Sequence, residues 1–109
     1  MCAELPARLP GFEETVTGGT VIVVLRGEFD VTSEGFLSAR LERIRRGRPR
    51  RLVFVTTQVA YMDCASARLI ASTGQFLPEG VKPVIRSPSP IVGRVLQLTG
   101  IAAACQFES

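Results

Sequence analysis

The chain has 109 residues, of which 46% are hydrophobic and 21% are charged, and its net charge is +3. That length suits one domain with one hydrophobic core, and the composition argues against disorder. There is no histidine, and Cys2, Cys64 and Cys105 are too few and too widely spaced for a disulfide framework or a zinc site. A histidine-based catalytic triad is excluded, and we predict no metal site and no cofactor.

The sequence predicts neither a membrane span nor an export signal. No apolar run approaches the roughly 18 residues of a membrane-spanning helix. Residues 1–10 carry Glu4 and Arg8 and lack the apolar stretch of a secretory signal. We therefore expect a single domain over residues 1–109, with its core at about 10–107, located in the cytoplasm.

Two adjacent segments near the start of the chain predict a β-hairpin. Residues 12–17 and 20–26 are strand-like, and the second of them, TVIVVLR, is almost wholly apolar and β-branched. Gly18-Gly19 between them is a typical two-residue turn. Because its apolar run is nearly continuous, we expect the second strand to be covered on both faces.

A helix is predicted between Thr32 and Gly47. Its apolar stripe is carried by three residues at helical spacing, Leu37, Leu41 and Ile44. Thr32 or Ser33 suits the N-cap, and Gly47 with Pro49 after it suits the end of the helix.

The rest of the chain alternates strands and helices. Apolar runs predict three further strands, at residues 52–55, 81–85 and 103–107. The middle one contains Pro83, which cannot donate to a ladder and so favours an edge or a bulge. Asp63 and Ser89 are the predicted N-caps of the two intervening helices. The order ββαβαβαβ predicts an α/β fold with a mixed, mostly parallel five-stranded sheet.

In such sheets the functional residues tend to lie beyond the carboxyl ends of the strands. The second predicted strand leads into Asp30, and the third leads into Met62-Asp63-Cys64. We expect these two segments, which are far apart in sequence, to meet at one edge of the sheet.

A basic run is the strongest charge feature of the sequence. Seven arginines and one glutamate lie between Arg40 and Arg51, a local charge of +6 against −3 for the remaining residues. Such a run indicates either a site for nucleic acid or an acidic partner, or a solvated helix face followed by a basic loop. No aromatic residue lies within it and no recognition motif accompanies it, so we favour the solvated face and expect no nucleic-acid partner.

Three stretches of the chain resemble motifs of one family. They are LRGEFD at residues 25–30, AYMDCAS at residues 60–66 and SPIVGRVLQLTGI at residues 89–101. All three are similar to motifs of the STAS domain, which is found in bacterial anti-sigma-factor antagonists and in the tails of sulfate transporters. They occur in the family's order, and the resemblance covers about residues 10–107.

The resemblance implies a regulator of transcription and not an enzyme, and no nucleophile–base pair is visible. Family members of this size bind an anti-sigma factor that is also a serine kinase, and this binding frees a sigma factor. Phosphorylation of the serine directly after the motif's aspartate ends the complex. By this resemblance the expected partner-binding residues are Phe29, Asp30, Met62, Asp63, Cys64 and Ser66.

The chain departs from the family pattern at that serine. Cys64 stands in its place, and because a thiol is not a usual kinase substrate, we expect the phosphorylation switch to be absent at this site. Ser66 is an alternative phosphoacceptor, and its other interpretation is an ordinary serine in the first turn of a helix. Val55 occupies a position where many members have Asp or Asn, which predicts a less polar site.

Three interpretations of Cys64 remain open at this point. It is an inert near-isostere of serine, a residue that keeps the protein competent to bind, or a thiol switch at a helix start, with Cys2 or Cys105 as resolving partner. Two alternative functions follow, a thiol-based redox sensor on the STAS scaffold and a STAS subunit of a transport or sensory assembly. Asp30 and Asp63 also suit plain capping roles.

Overall fold

The computed structural model describes residues 9–109, and their elements follow the predicted order. The strands are β1 (Gly11–Thr17), β2 (Thr20–Phe29), β3 (Arg51–Met62), β4 (Val84–Arg86) and β5 (Gln106–Glu108). The helices are α1 (Glu34–Arg46), α2 (Cys64–Ser72) and α3 (Pro90–Leu98). Short 3-10 turns cover Val31–Ser33, Thr73–Phe76 and Ala102–Ala104. None of the helices in this described part is long and apolar enough to cross a membrane.

The sheet is mixed and mostly parallel, as predicted. Its strands lie in the order β1-β2-β3-β4-β5, with β1 antiparallel to β2 and every other pair parallel. Each parallel pair is connected through one helix, and right-handed crossovers of this kind place successive helices on the same face. Accordingly α1 contacts α2, and α2 contacts α3. The carboxyl ends of β2, β3 and β4 therefore share one edge of the sheet.

The hairpin of β1 and β2 turns at Gly18, whose φ of +60° suits glycine. Along β2, every second side chain is buried against the helices, as for Val23 and Leu25, while the intervening ones are only half-buried. On that second face Arg26 pairs with Glu13 at 3.2 Å. The expectation that β2 is covered on both faces was wrong, because all the connecting helices lie on one side.

Strands β2 and β3 run further than their apolar residues predicted. We placed the third strand at 52–55, yet β3 continues to Met62, and β2 continues to Phe29. The polar residues after Val55 hid this extension. Two register shifts keep the pair together, and Gly27 beside the second has a φ of +87°, a conformation that favours glycine.

Strand β4 lies between β3 and β5, so the edge position suggested by Pro83 was wrong. Pro83 directly precedes β4, which begins at Val84, so its missing N–H falls outside the strand. The Pro83 carbonyl still accepts a hydrogen bond from the Gln106 N–H at 2.9 Å.

The helix caps and the apolar stripe of α1 are largely as predicted. The three apolar residues of the α1 stripe are all buried, and Gly47 is the C-cap. Ser89 caps α3 through a 3.4 Å bond from the Val92 N–H. At the start of α1 the predicted cap was incomplete, since Ser33 is the N-cap without a side-chain bond and Asp30 caps the preceding 3-10 turn instead.

Candidate functional site at the carboxyl edge of the sheet

The carboxyl ends of β2 and β3 lie side by side. Phe29 pairs with Met62 in the parallel ladder, and the Asp63 N–H donates to the Phe29 carbonyl oxygen at 2.9 Å. Asp30 and Cys64, which follow along the two strands, therefore leave the sheet at the same edge. This geometry confirms that the segments around residues 30 and 64 meet.

The Asp30 carboxylate is fixed by its own turn. It accepts hydrogen bonds from the Thr32 N–H at 2.9 Å and from the Thr32 hydroxyl, and the Asp30 N–H donates to the Ser33 hydroxyl at 3.0 Å. The hydrogen bonds to the carboxylate, with that of the Thr32 hydroxyl first and that of the Thr32 N–H second, lower the pKa of the Asp30 carboxyl below its ordinary value. The site therefore presents an ionised and oriented carboxylate at neutral pH.

Asp63 is the N-cap of α2, as predicted. Its carboxylate accepts the Ser66 N–H at 2.8 Å, and its backbone is extended, with φ −87° and ψ 173°. Cys64 is consequently the first residue of the helix, and its thiol is exposed and free. The same cap that starts the helix thus presents Cys64 to solvent.

Three of the residues expected to bind a partner are buried. The exposed fractions of Phe29, Met62 and Ser66 are 0%, 2% and 0%. Phe29 and Met62 belong to the hydrophobic core, because the strand alternation turns their side chains toward the helices. Both side chains pack under the strand ends and are not accessible to a partner. Ser66 lies equally deep, so a kinase has no access to its hydroxyl in this conformation.

Two exposed apolar residues at the same edge were missed by the sequence analysis. Val31 is 74% exposed and Tyr61 is 44% exposed. Tyr61 directly precedes buried Met62 and pairs with Glu28 in the ladder. Simple alternation would not have found it, because Ala60 and Tyr61 are both exposed where the register of β2 and β3 shifts. We call the surface formed by Asp30, Val31, Tyr61, Asp63 and Cys64 the carboxyl-edge surface.

The other cysteines do not join this surface. Cys105 directly precedes β5, at the amino edge of the sheet, and it is buried. Burial raises the pKa of its thiol, an effect that Lys82 partly offsets. Cys105 is therefore not positioned to act as a resolving partner for Cys64 in this conformation. Cys2 lies outside the described residues.

The less polar position noted in β3 does not lie at the junction of Asp30 and Cys64. Val55 pairs with Val24 and with Arg86, the last residue of β4, and it comes seven residues before β3 ends at Met62. Across residues 9–109 no group of three or more Cys, Asp or Glu side chains could hold a metal ion.

Comparison with known proteins gives one family and a consistent fold. A search of curated proteins found no match. An anti-sigma factor antagonist from Mycobacterium paratuberculosis has a similar structure, with a TM-score of 0.79 and 20% identity over 93% of this chain and 86% of that one. The unphosphorylated anti-sigma factor antagonist SpoIIAA gives a TM-score of 0.75 and 19% identity, over 91% and 89% of the two chains.

Bacillus SpoIIAA in its phosphorylated form is also similar, with a TM-score of 0.68 and 21% identity over 91% of this chain and 92% of that one. At these identities the likeness establishes the fold alone. The sequence profile of the STAS domain matches residues 12–108, nearly the whole described chain. The chain belongs to the STAS domain family.

Proposed function

We propose that this chain is a binding protein and not an enzyme, an anti-sigma-factor antagonist-like regulator in the bacterial cytoplasm. Its proposed partner is an anti-sigma factor of the serine kinase type. The observation that carries the proposal is the junction of β2 and β3, where the Asp63 N–H donates to the Phe29 carbonyl at 2.9 Å. This junction brings Asp30 and Cys64 to one surface, as the family resemblance requires.

The carboxyl-edge surface has the composition of a small protein-binding site. Val31 and Tyr61 supply exposed apolar area, and tyrosine is one of the residues in which the hot spots of interfaces are enriched. Asp30 and Asp63 supply carboxylates that backbone donors hold in place. We therefore assign the contacts to Val31, Tyr61 and Cys64, which are exposed, and to the half-buried Asp30 and Asp63. We leave out three residues because they are buried, Phe29, Met62 and Ser66.

Cys64 removes the usual way of ending the complex. A phosphate at this position would bring up to two negative charges close to Asp30 and Asp63, and it would have to be desolvated at the interface. A cysteine side chain is about as small as the serine it replaces and is not a usual kinase substrate, so the surface stays competent to bind. The proposed regulator is therefore permanently active with respect to this switch.

The test is native mass spectrometry with a kinase-type anti-sigma factor from the same genome. We expect a complex with the wild type and with Cys64→Ser, and its loss with Cys64→Asp, because the aspartate adds charge at the docking surface. Gln97→Glu is the matched control, since it adds one negative charge at an exposed position of α3. Absence of a complex with the wild type for every such anti-sigma factor of the genome would refute the proposal.

One observation favours a second candidate function, a thiol-based redox sensor. Cys64 is exposed at the start of α2, whereas Cys105 is buried with a raised pKa. Hydrogen peroxide would convert the Cys64 thiolate to a sulfenic acid and release hydroxide. The added oxygen would lie where the family carries phosphate.

Alkylation kinetics at neutral pH separate this candidate from the first. A sensor requires Cys64 to react with iodoacetamide faster than a free model thiol does, as followed by peptide mass spectrometry. Cys105 serves as the internal slow control, because it is buried. Labelling of Cys64 no faster than the model thiol removes the sensor and leaves the binding function untouched.

A further inference from the structure

A basic cluster occupies the opposite end of the molecule from the carboxyl-edge surface. It lies in the last turn of α1 and in the connection from α1 to β3, at the amino edge of the sheet. The Arg50 N–H donates to the Gly19 carbonyl at 2.7 Å, which ties this connection to the hairpin turn. We call this cluster the basic pole, and its members are Arg43, Arg45, Arg46, Arg48 and Arg50.

Most of the charge of the basic pole is not neutralised. Glu42 accepts hydrogen bonds from Arg45 and lies 3.6 Å from Arg46. Within residues 9–109, the guanidinium groups of Arg43, Arg48 and Arg50 have no ion-pair or hydrogen-bond partner. Attraction to the negative end of the helix dipole accounts for arginines in the last turn of α1. It does not account for Arg48 and Arg50, which come after the helix has ended.

Two backbone features orient these two arginines. Arg48 has a φ of +50°, a left-handed conformation that glycine adopts with less strain, while the neighbouring Gly47 has an ordinary φ of −79°. A Cβ on Gly19 would lie 3.0 Å from Cδ of Arg50, so the bare glycine lets the Arg50 stem pack across the hairpin turn. Arg48 thus has a strained backbone and Arg50 is packed against the hairpin turn, although neither charge has a partner among the described residues.

The arginines surround an apolar cleft. This open cleft of about 410 Å³ is lined by three arginines and by four apolar residues, which we call its apolar floor: Arg45, Arg48 and Arg50, and Pro49, Phe76, Leu77 and Pro78. No acidic side chain of the described residues lines it. A second cleft of about 410 Å³ between α1 and α2 shares Arg45 and Phe76 with the first, and Glu42 is among its lining residues.

We propose that the basic pole docks an acidic peptide segment of a partner protein, with one aliphatic side chain of that segment seated in the cleft. Guanidinium groups match the planar geometry of carboxylates and pair with them in bidentate fashion. The apolar floor accepts a side chain and is recessed at Leu77, which is buried, and at Phe76, which is partly buried, while Pro78 is exposed. This proposal is independent of the function assigned to the carboxyl-edge surface.

Two other anionic partners fit the pole less well. Single-stranded nucleic acid binds through exposed aromatic rings on which bases stack, and the one aromatic side chain in the described lining, Phe76, is partly buried. A lipid surface requires apolar side chains that project beyond the cationic ones. Here the exposed part of the lining consists of the arginines and Pro78, while Phe76 and Leu77 are partly or fully buried.

The test is fluorescence anisotropy with the whole chain and four probes. These are a labelled peptide with leucine between Asp and Glu residues, the same peptide with serine in place of leucine, a labelled oligothymidylate, and vesicles of phosphatidylglycerol. We expect the leucine peptide to bind most tightly and to weaken as salt is raised. The double variant Arg48→Gln/Arg50→Gln, which keeps the stems and removes the charges, should raise its Kd at least about tenfold.

Arg68→Gln/Arg94→Gln is the matched control, because it removes the same charge from exposed positions on α2 and α3. It should leave the Kd of the leucine peptide unchanged within about twofold. The proposal is overturned if the oligonucleotide or the vesicles bind more tightly than the leucine peptide, if the serine peptide binds equally well, if no probe binds, or if the control pair loses as much affinity as the test pair.

Discussion

The carboxyl-edge surface and the basic pole lie at opposite ends of the same strands, and they hold their charges differently. At the first, the carboxylates of Asp30 and Asp63 accept backbone hydrogen bonds and shape the turns that carry them. At the second, Arg48 and Arg50 have no polar partner for their side chains among the described residues. A carboxylate that caps the backbone stabilises the fold. A guanidinium group without a partner inside the fold remains available to pair with a ligand. Changes at the two ends should therefore separate stability from binding.

The largest effect is expected from the packing beneath the carboxyl-edge surface. Phe29→Ala removes a fully buried ring next to the β2–β3 junction, and we expect a loss of about 3–5 kcal/mol in the free energy of unfolding. Urea denaturation measures it. Val31→Ala, two residues along and exposed, is the control and should change stability by less than about 0.5 kcal/mol. Equal effects from both variants would contradict the assignment of Phe29 to the supporting core and of Val31 to the contact surface.

A smaller effect is expected from the cap that presents Cys64. Asp63→Ala deletes the acceptor of the 2.8 Å bond from the Ser66 N–H, and should cost about 1 kcal/mol of stability. Asp63→Asn keeps an acceptor at the N-cap and should cost much less, so that the pair isolates the hydrogen bond from the charge. Thermal denaturation of both variants measures the difference. A full loss in Asp63→Asn would show that charge, and not capping, dominates at this position.

The sequence contained most of the fold because each element has a local cause. Helical spacing fixed the buried stripe of α1, and the side chains of Asp63 and Ser89 fixed the starts of α2 and α3. The lengths of β2 and β3 were not predicted, because pairing between the two strands, and not apolar composition, extends them to Phe29 and Met62. Strand length is a tertiary property, so it is visible only in the sheet.

The candidate site was predicted only in part for the same reason. The meeting of the segments around Asp30 and Cys64 followed from the parallel order of the strands. Which neighbouring side chains face solvent depended on the phase of the extended strand ends, and that phase made Tyr61 exposed and Met62 buried. The charge of the basic run was visible in the sequence. The cleft beside it was not, because its lining includes residues from the segment after α2, such as Phe76.

At the basic pole the comparison predicts a variant that gains stability. Arg48→Gly relieves the positive φ of +50°, offset in part by the greater freedom of glycine in the unfolded chain. We expect a gain of about 0.5 kcal/mol in the free energy of unfolding, together with weaker binding of the acidic leucine peptide. Arg43→Gly, at an exposed position inside α1, is the control and should destabilise by about 1 kcal/mol. A loss of stability in Arg48→Gly would mean that its side chain supports the fold.

The smallest effect expected is a pH dependence at the carboxyl edge. The pKa of Asp30 is lowered in the folded protein, first by the Thr32 hydroxyl, so its carboxylate stabilises the fold above the pKa of the unfolded chain. That contribution is lost as the pH falls through the lower, folded pKa. Asp30→Asn keeps an acceptor for the Thr32 N–H but cannot titrate. Urea midpoints measured from pH 7 down to about pH 3 should therefore bring the wild type and Asp30→Asn closer together as the solution becomes acidic, because only the wild type loses a charge-dependent contribution. A difference that stays constant over this range would show that the Asp30 carboxylate adds no charge-dependent stability to its turn, and that its role at this end of the molecule lies in contact alone.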